Sequence, residues 1–203
     1  MWIGEWNRSV ILTYIGMAFS VLGICQAVLG NVVYGFSCLM AAGVCDLFDG
    51  AVARKCKRNE AQKLFGVQLD SLVDVMSFLA LPVCLCLRIG MNRWYHILIL
   101  AVFCICGIAR LAFFNVTSEG GEEPVKYYRG LPVTYTALIL PVVYLLSLAL
   151  PKGVFLTVYS VVVAAVAGLN ILDIRVPKPK GAACLFFALL AAGMLSLFLL
   201  VLA

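Results

Sequence analysis

Long apolar runs alternate with short polar breaks along the whole chain. The runs are Val10–Leu29, Val32–Ala53, Leu72–Ile89, Tyr95–Asn115, Leu131–Leu150, Val154–Ile174 and Ala182–Ala203. Each is close to the ~20 residues that an α-helix needs to cross the hydrocarbon core of a bilayer. A membrane β-barrel would show short segments of alternating polarity instead of continuous runs. The pattern predicts an all-α, polytopic transmembrane bundle of about seven helices, with residues 1–203 forming a single membrane domain. The first run reads as a retained helix and not as a cleaved leader. Its flank carries only Arg8 against Glu5, the run is too long, and no small-x-small cleavage pattern follows.

Composition sharpens this picture. Hydrophobic residues make up 64% of the 203 positions and charged residues 12%, with a mean hydropathy of +1.07. Soluble domains are roughly half apolar and a quarter charged, so a soluble enzyme, a nucleic-acid module and a disordered tail are excluded. Nine cysteines invite a metal or disulfide reading, but eight lie inside apolar runs and only Cys56 sits in a charged loop. The pairs Cys84/Cys86 and Cys104/Cys106 lack zinc-ligand spacing, so cysteine here acts as a small hydrophobe.

The basic residues set the topology. With a cytosolic N-terminus and seven crossings, Arg8, Arg54, Lys55, Lys57, Arg58, Lys63, Arg110, Lys126, Arg129, Arg175, Lys178 and Lys180 fall on the cytosolic side. Only Arg88, Arg93 and Lys152 fall outside, a twelve-to-three bias that follows the positive-inside rule. All ten acidic residues also fall on the cytosolic side, so the chemistry is expected there. The net charge of +5 suits anionic membrane lipids better than nucleic acid. The single histidine, His96, falls on the outer side beside Trp94 and Tyr95, as an interfacial residue remote from the acids.

The informative residues flank the second polar break. Asp46, Asp49 and Ala53 are spaced i, i+3, i+7 at the end of the second run and share one helical face. Gly66, Asp70 and Asp74 are spaced by four and share another at the start of the third. A short connection makes the two helices antiparallel neighbours, with four carboxylates converging at the membrane surface. Carboxylates there are costly unless paired or bound to a cation. Arg54 and Lys55 offer one solution, a salt-bridged hairpin. The excess of acid over nearby base offers the other, a divalent cation, and oxygen-only ligands favour Mg²⁺ or Mn²⁺. Gly50 and Gly66 remove side chains beside the acids, which suits either close approach of a ligand or close helix packing.

The string Asp46-x2-Asp49-Gly50-x2-Ala53-Arg54 … Gly66-x3-Asp70-x3-Asp74 resembles the signature of the CDP-alcohol phosphatidyltransferases. The segment between Arg54 and Gly66 is longer than the family's usual spacing, which reads as an enlarged loop. The resemblance implies two divalent cations held by Asp46, Asp49, Asp70 and Asp74, with Asp74 doubling as the base on the acceptor hydroxyl. It implies substrate contacts from Gly50, Ala53, Arg54 and Gly66, Arg54 stabilising phosphate charge through its forked donors. Further segments are similar to the phosphatidylserine synthase branch: Asp70 to Phe78, Arg110-Leu111-Ala112-Phe113-Phe114, Gly130-Leu131-Pro132 and Asp173 to Lys178. They imply CDP-diacylglycerol and L-serine as substrates, with Arg110 facing the acceptor. Glycerol 3-phosphate or inositol phosphate is the alternative acceptor, served by a cationic cluster from Arg110, Lys126, Arg129, Arg175 and Lys178. Family members are often homodimers, so a homodimer in the cell membrane, its site facing the cytosol, is implied as well.

Several neighbouring segments carry simpler expectations. Gly130-Leu131-Pro132 reads as the start of a helix with proline in its first turn. Pro177 and Pro179 make Arg175–Lys180 a stiff linker, and the tract from Glu119 to Glu123 reads as a solvated loop. A different class, a cation carrier lined by the four aspartates, would need polar groups along the full length of the bundle and an internal inverted repeat; neither is evident.

Overall fold

The computed structural model describes residues 4–119, 127–177, 182–198 and 200. Helix α1 (Ile11–Leu29) turns at Gly30 into α2 (Val32–Lys55). Helix α3 (Glu60–Val75) runs through one π-helical turn, Met76–Ala80, into α4 (Leu81–Ile89). Then come α5 (Trp94–Glu119), strand β1 (Tyr127–Arg129), α6 (Thr136–Tyr144) between short 3-10 turns, and α7 (Lys152–Ile171). Strand β2 (Arg175–Pro177) and α8 (Ala182–Leu197) follow. Five segments are long and apolar enough to cross a membrane: Ile11–Leu29, Val32–Lys55, Glu60–Ile89, Trp94–Thr117 and Lys152–Ile171. The predicted all-helical bundle is therefore present, with five candidate spans among the described residues. One of the seven predicted runs forms a shorter helix, Val133–Leu148, and α8 covers the described part of the last run. Pro141 lies inside α6 and removes a backbone donor, which fits its nine-residue length and the 3-10 turns at both ends.

Small residues bring the first two helices together. Thr13, Gly16, Ser20, Gly23 and Ala27 form the buried stripe of α1. A Cβ on Gly23 would lie 2.9 Å from the Cys38 Cβ, and one on Gly16 would lie 3.3 Å from the Cys45 Cβ. The backbones thus approach as closely as membrane helices with small interfacial residues do. The eight described cysteines are free thiols, and those of α2 serve this packing; the side chain of Cys184 lies outside the described residues.

Two elements differ from the sequence expectation in ways that shape the site. Helix α3 begins at Glu60, twelve residues before the apolar run. Asn59 caps it, accepting from the Gln62 backbone N–H at 2.8 Å, while the Gln62 side chain accepts from the Asn59 N–H at 3.2 Å. The residues beyond the family's usual spacing are thus helix, and the connecting loop is only Cys56 to Asn59. The second is the π turn directly after Asp74. Pro82 has no N–H for the Phe78 carbonyl, and its ring would crowd that carbonyl in a regular helix. The wider turn accommodates it.

The predicted stiff linker is instead half of a ribbon. Strands β1 and β2 pair antiparallel, with Tyr128 opposite Val176 and Arg129 opposite Arg175. Gly130 ends β1 with φ +74°, a left-handed conformation, and a Cβ there would sit 2.5 Å from the Asn170 carbonyl oxygen. Its N–H donates to the Ile174 carbonyl, and that of Leu131 to Leu169, both at 2.9 Å. Gly130 is therefore a docking point against α7, and the helical turn starts only after Pro132. Lys126, Lys178, Lys180 and the tract from Gly120 to Glu123 lie outside the described residues.

Candidate active site

The start of α1, the end of α2, the start of α3, the end of α5, the ribbon and the end of α7 meet at one end of the bundle. Thr13 reaches Asp49, Gln62 reaches Glu5, and Ser71 reaches Asn115, which ties α1 to α2, the segment before α1 to α3, and α3 to α5. Arg54, Lys55, Arg58, Arg110, Arg129 and Arg175 share that end. Arg88 and Lys152 lie at the other, near Gly30 and Gly90. His96 is also remote from the acids, but it is buried, at 5% exposure, against Tyr95 at 4.3 Å. Trp94, two residues earlier in the same turn, is 77% exposed.

Three of the four expected acids form one constellation. Carboxylate oxygens of Asp46, Asp49 and Asp70 all lie within 4.8 Å of one another. Asp74, one turn further along α3, is 7% exposed and lines one small space together with Asp46, Asp49 and Asp70. The i, i+3 and i, i+4 spacings produce this because α2 and α3 are antiparallel and their acid faces oppose. Among the described residues, no lysine or arginine forms an ion pair with any of the four; the pairs there are Lys63–Glu60 and Arg129–Asp173. The salt-bridged hairpin is thus not the arrangement found. Like-charged groups this close need a counter-charge, and an all-oxygen donor set of this size fits a hard divalent cation. No metal is identified, but the residues fit one.

The acids stand between two cavities. One, of ≈ 310 Å³, lies between α2, α6 and the ribbon and is lined by Asp46, Asp49, Arg54, Asp70, Tyr128 and Tyr135 together with apolar α2 and α6 residues. The other, of ≈ 210 Å³, lies between α1, α2 and α3 and is lined by Asp49, Gly50, Ala53, Arg54, Arg58, Gly66 and Asp70. A Cβ on Gly50 or Gly66 would meet only an arginine tip, Arg54 at 3.4 Å and Arg58 at 3.8 Å. These glycines therefore keep the cavity open and are not demanded by helix packing. Arg110 is 8% exposed on α5 and faces Asp74 and Asp46 electrostatically.

Two groups escape the motif. Thr13 donates to Asp49 Oδ2 at 3.3 Å, bringing α1 into the site although it carries no acid. Its signal is the small and polar stripe through Thr13, Gly16, Ser20, Gly23 and Ala27. Tyr128 lines the larger cavity from the ribbon and lies over Arg110, 5.8 Å from guanidinium to ring centre. No sequence pattern placed Tyr128 beside α5, because the ribbon pairs residues far apart in the chain.

A helical membrane bundle with an acidic, cation-ready cluster at one end defines the class. The chain belongs to the CDP-alcohol phosphatidyltransferase family, whose sequence model matches residues 6–169. The CDP-diacylglycerol–serine O-phosphatidyltransferase of Saccharomyces cerevisiae is 38% identical over 125 residues, covering 56% of this chain and 44% of the relative. The archaetidylserine synthase of Methanothermobacter thermautotrophicus is 32% identical over 136 residues, covering 66% and 56%. A CDP-diacylglycerol–serine O-phosphatidyltransferase of Methanocaldococcus jannaschii is 33% identical over 121 residues, covering 60% and 55%. The chain thus spans about half the length of the curated relatives it matches.

Proposed function

We propose that the chain transfers a phosphatidyl group from CDP-diacylglycerol to the hydroxyl of L-serine, giving phosphatidylserine and CMP. The observation that carries the reading is the convergence of Asp46, Asp49 and Asp70, with Asp74 beside them, in a chain whose relatives are named as serine phosphatidyltransferases. Asp46, Asp49, Asp70 and Asp74 would hold two divalent cations, Mg²⁺ or Mn²⁺. Bound there, such ions supply charge neutralisation for a pyrophosphate and stabilise the departing CMP oxygen.

The remaining work falls to the chain's own groups. Gly50, Ala53 and Gly66 leave room for the donor headgroup in the ≈ 210 Å³ cavity, where Arg54 offers its forked donors to phosphate oxygens. Asp74 accepts the serine hydroxyl proton as the new oxygen–phosphorus bond forms and the bond to CMP breaks. Burial of Asp74 keeps bulk water from taking the place of serine. Arg110 orients the acceptor. The site faces the cytosol, from which both CMP and serine exchange, and the enzyme acts as a homodimer in the cell membrane.

The test is CMP release in membranes given CDP-diacylglycerol with L-serine, glycerol 3-phosphate or inositol phosphate. Serine-dependent release that stops on chelation and returns with Mg²⁺ or Mn²⁺ is expected. Release with glycerol 3-phosphate but none with serine would remove the serine assignment and leave the reaction class standing.

A further inference from the structure

A third cavity, of ≈ 360 Å³, lies between α5, α7 and the ribbon, away from the signature residues. Arg110, Arg129, Gly130, Asn170 and Asp173 line it, and the last two fall beyond the residues matched by the family model. Arg110 is nearly fully buried, and its Nε–H has no hydrogen-bond partner among the described residues. The guanidinium is held over two rings, 5.4 Å from the centre of Phe114 and 5.8 Å from that of Tyr128. Such stacking fixes the plane of the fork and leaves its edge for a planar anion. A buried donor of this kind is costly unless it is satisfied. Asp173 stands on the same cavity, in a long, exposed ion pair with Arg129 at 3.8 Å.

We infer that this cavity is the acceptor pocket and is built for a zwitterionic amino acid, with Arg110 taking the carboxylate and Asp173 taking the ammonium group. The inference rests on the proposed transfer reaction and adds the residue that reads the amino group. Arg110 links the pocket to the acids: it lines this cavity and lies over Phe114 and Tyr128, which line the cavity holding Asp46, Asp49 and Asp70. A serine anchored on Arg110 by its carboxylate then turns its hydroxyl toward the acid side of that guanidinium. The ammonium group then takes Asp173 from Arg129, replacing a long, weak pair at 3.8 Å by a closer one. A phosphorylated alcohol fits this charge set poorly. It carries no ammonium group, and Asp173 would repel its phosphate.

The pocket is held in shape by its floor. The Asn170 side-chain amide, with its nitrogen turned inward, donates to the Leu131 and Val166 carbonyls at 3.1 and 3.3 Å. Together with the Gly130 contact, this docks the ribbon, and so Tyr128 and Asp173, against α7.

The test uses the full chain in membranes, CDP-diacylglycerol, and three acceptors: L-serine, 3-hydroxypropionate, which lacks the amino group, and ethanolamine, which lacks the carboxylate. Asp173→Asn should raise KM for L-serine about fivefold, the size of a favourable exposed ion pair, with kcat little changed. It should leave KM for 3-hydroxypropionate unchanged, and Asp173→Glu should restore serine. Arg129→Gln frees Asp173 from its resident partner and should shift the same KM ratio in serine's favour; it also serves as the second variant if Asp173→Asn does not fold. Arg110→Lys should weaken serine and 3-hydroxypropionate together while sparing ethanolamine. An equal loss of serine and 3-hydroxypropionate in Asp173→Asn, or no change in either, overturns the pocket assignment alone. Wild-type protein that ignores serine yet releases CMP with glycerol 3-phosphate overturns the serine reading as well.

Discussion

Replacing Asp70 by Asn tests the acid cluster through two effects of opposite sign. The change removes one negative charge at nearly constant side-chain volume, so packing of α3 against α2 is preserved. Without cations, the native site holds like charges together. Two unit charges 4.8 Å apart repel by about 3.5 kcal/mol at an effective dielectric constant of 20. Partial exposure of Asp46 and Asp70 to solvent reduces this to about 1 kcal/mol or less net per pair. Chelated Asp70→Asn should therefore melt at or above the temperature of chelated wild type. With Mn²⁺ the order reverses. A site loaded at a hundred times its Kd gains about 2.7 kcal/mol from binding, and the variant forfeits most of that. The assay is a thermal melt of detergent-purified protein, chelated and then titrated with Mn²⁺, read beside CMP release. Asp46→Asn and Asp49→Asn should behave alike. Full Mn²⁺ stabilisation and near wild-type turnover in any two of the three would refute the cation-binding reading.

Three further outcomes follow from the same geometry. Asp74→Asn should lower transfer ~10²–10⁴-fold while CDP-lipid and Mn²⁺ still bind, as isothermal titration of the variant would show; loss of nucleotide binding would count against a role as base. Cys56 lies in the loop between α2 and α3, at the acid end. A membrane-impermeant maleimide should spare it in intact cells and label it in inverted vesicles, and labelling from outside would overturn the cytosolic assignment. Gly130→Ala forces a Cβ to 2.5 Å from the Asn170 oxygen at φ +74°, and should cost about 1–3 kcal/mol in a denaturation midpoint series; unchanged stability would show that the ribbon does not dock as described.

The membrane class and the acid cluster were legible because both rest on local spacing. Apolar runs of bilayer length identify helices without reference to partners, and two acid-bearing faces joined by a short loop have little choice but to oppose. What stayed hidden depends on capping or on distant pairing. The Asn59–Gln62 capping box was present in the sequence, but a search for apolar windows passes over Glu60 to Leu69, which is only half apolar. Gly130 looked like part of a helix start because its requirement, a left-handed turn against the Asn170 carbonyl, is set by α7 some forty residues later. The β1–β2 ribbon was illegible for the same reason. Three-residue strands carry no usable alternation, and Pro177 argued for a linker.

The position of the acids along the bundle decides between an enzyme and a carrier. An ion path starting at Asp46, Asp49, Asp70 and Asp74 would have to continue between α1, α2 and α4 toward the Gly30 end. That interior is occupied by Phe36, Leu39, Phe78, Leu79, Leu81 and Leu85, each no more than 1% exposed. Of its buried serines, Ser20 and Ser77 are hydrogen-bonded to each other, Ser20 also bonds the Gly16 carbonyl, and Ser37 donates to the Val33 carbonyl. The first two are therefore committed to joining α1 to the π turn, and the three offer no continuous set of ligands. A cation held by the four carboxylates has solvent and two cavities on one side and a packed apolar core on the other. It can be approached by a headgroup through those cavities, while the described core residues on the other side are closely packed. The same closed core supports the acid end as an anchored reaction site, since the π turn, the Ser20–Ser77 bond and the Thr13–Asp49 bond fix α1, α2 and α3 around it before any substrate arrives.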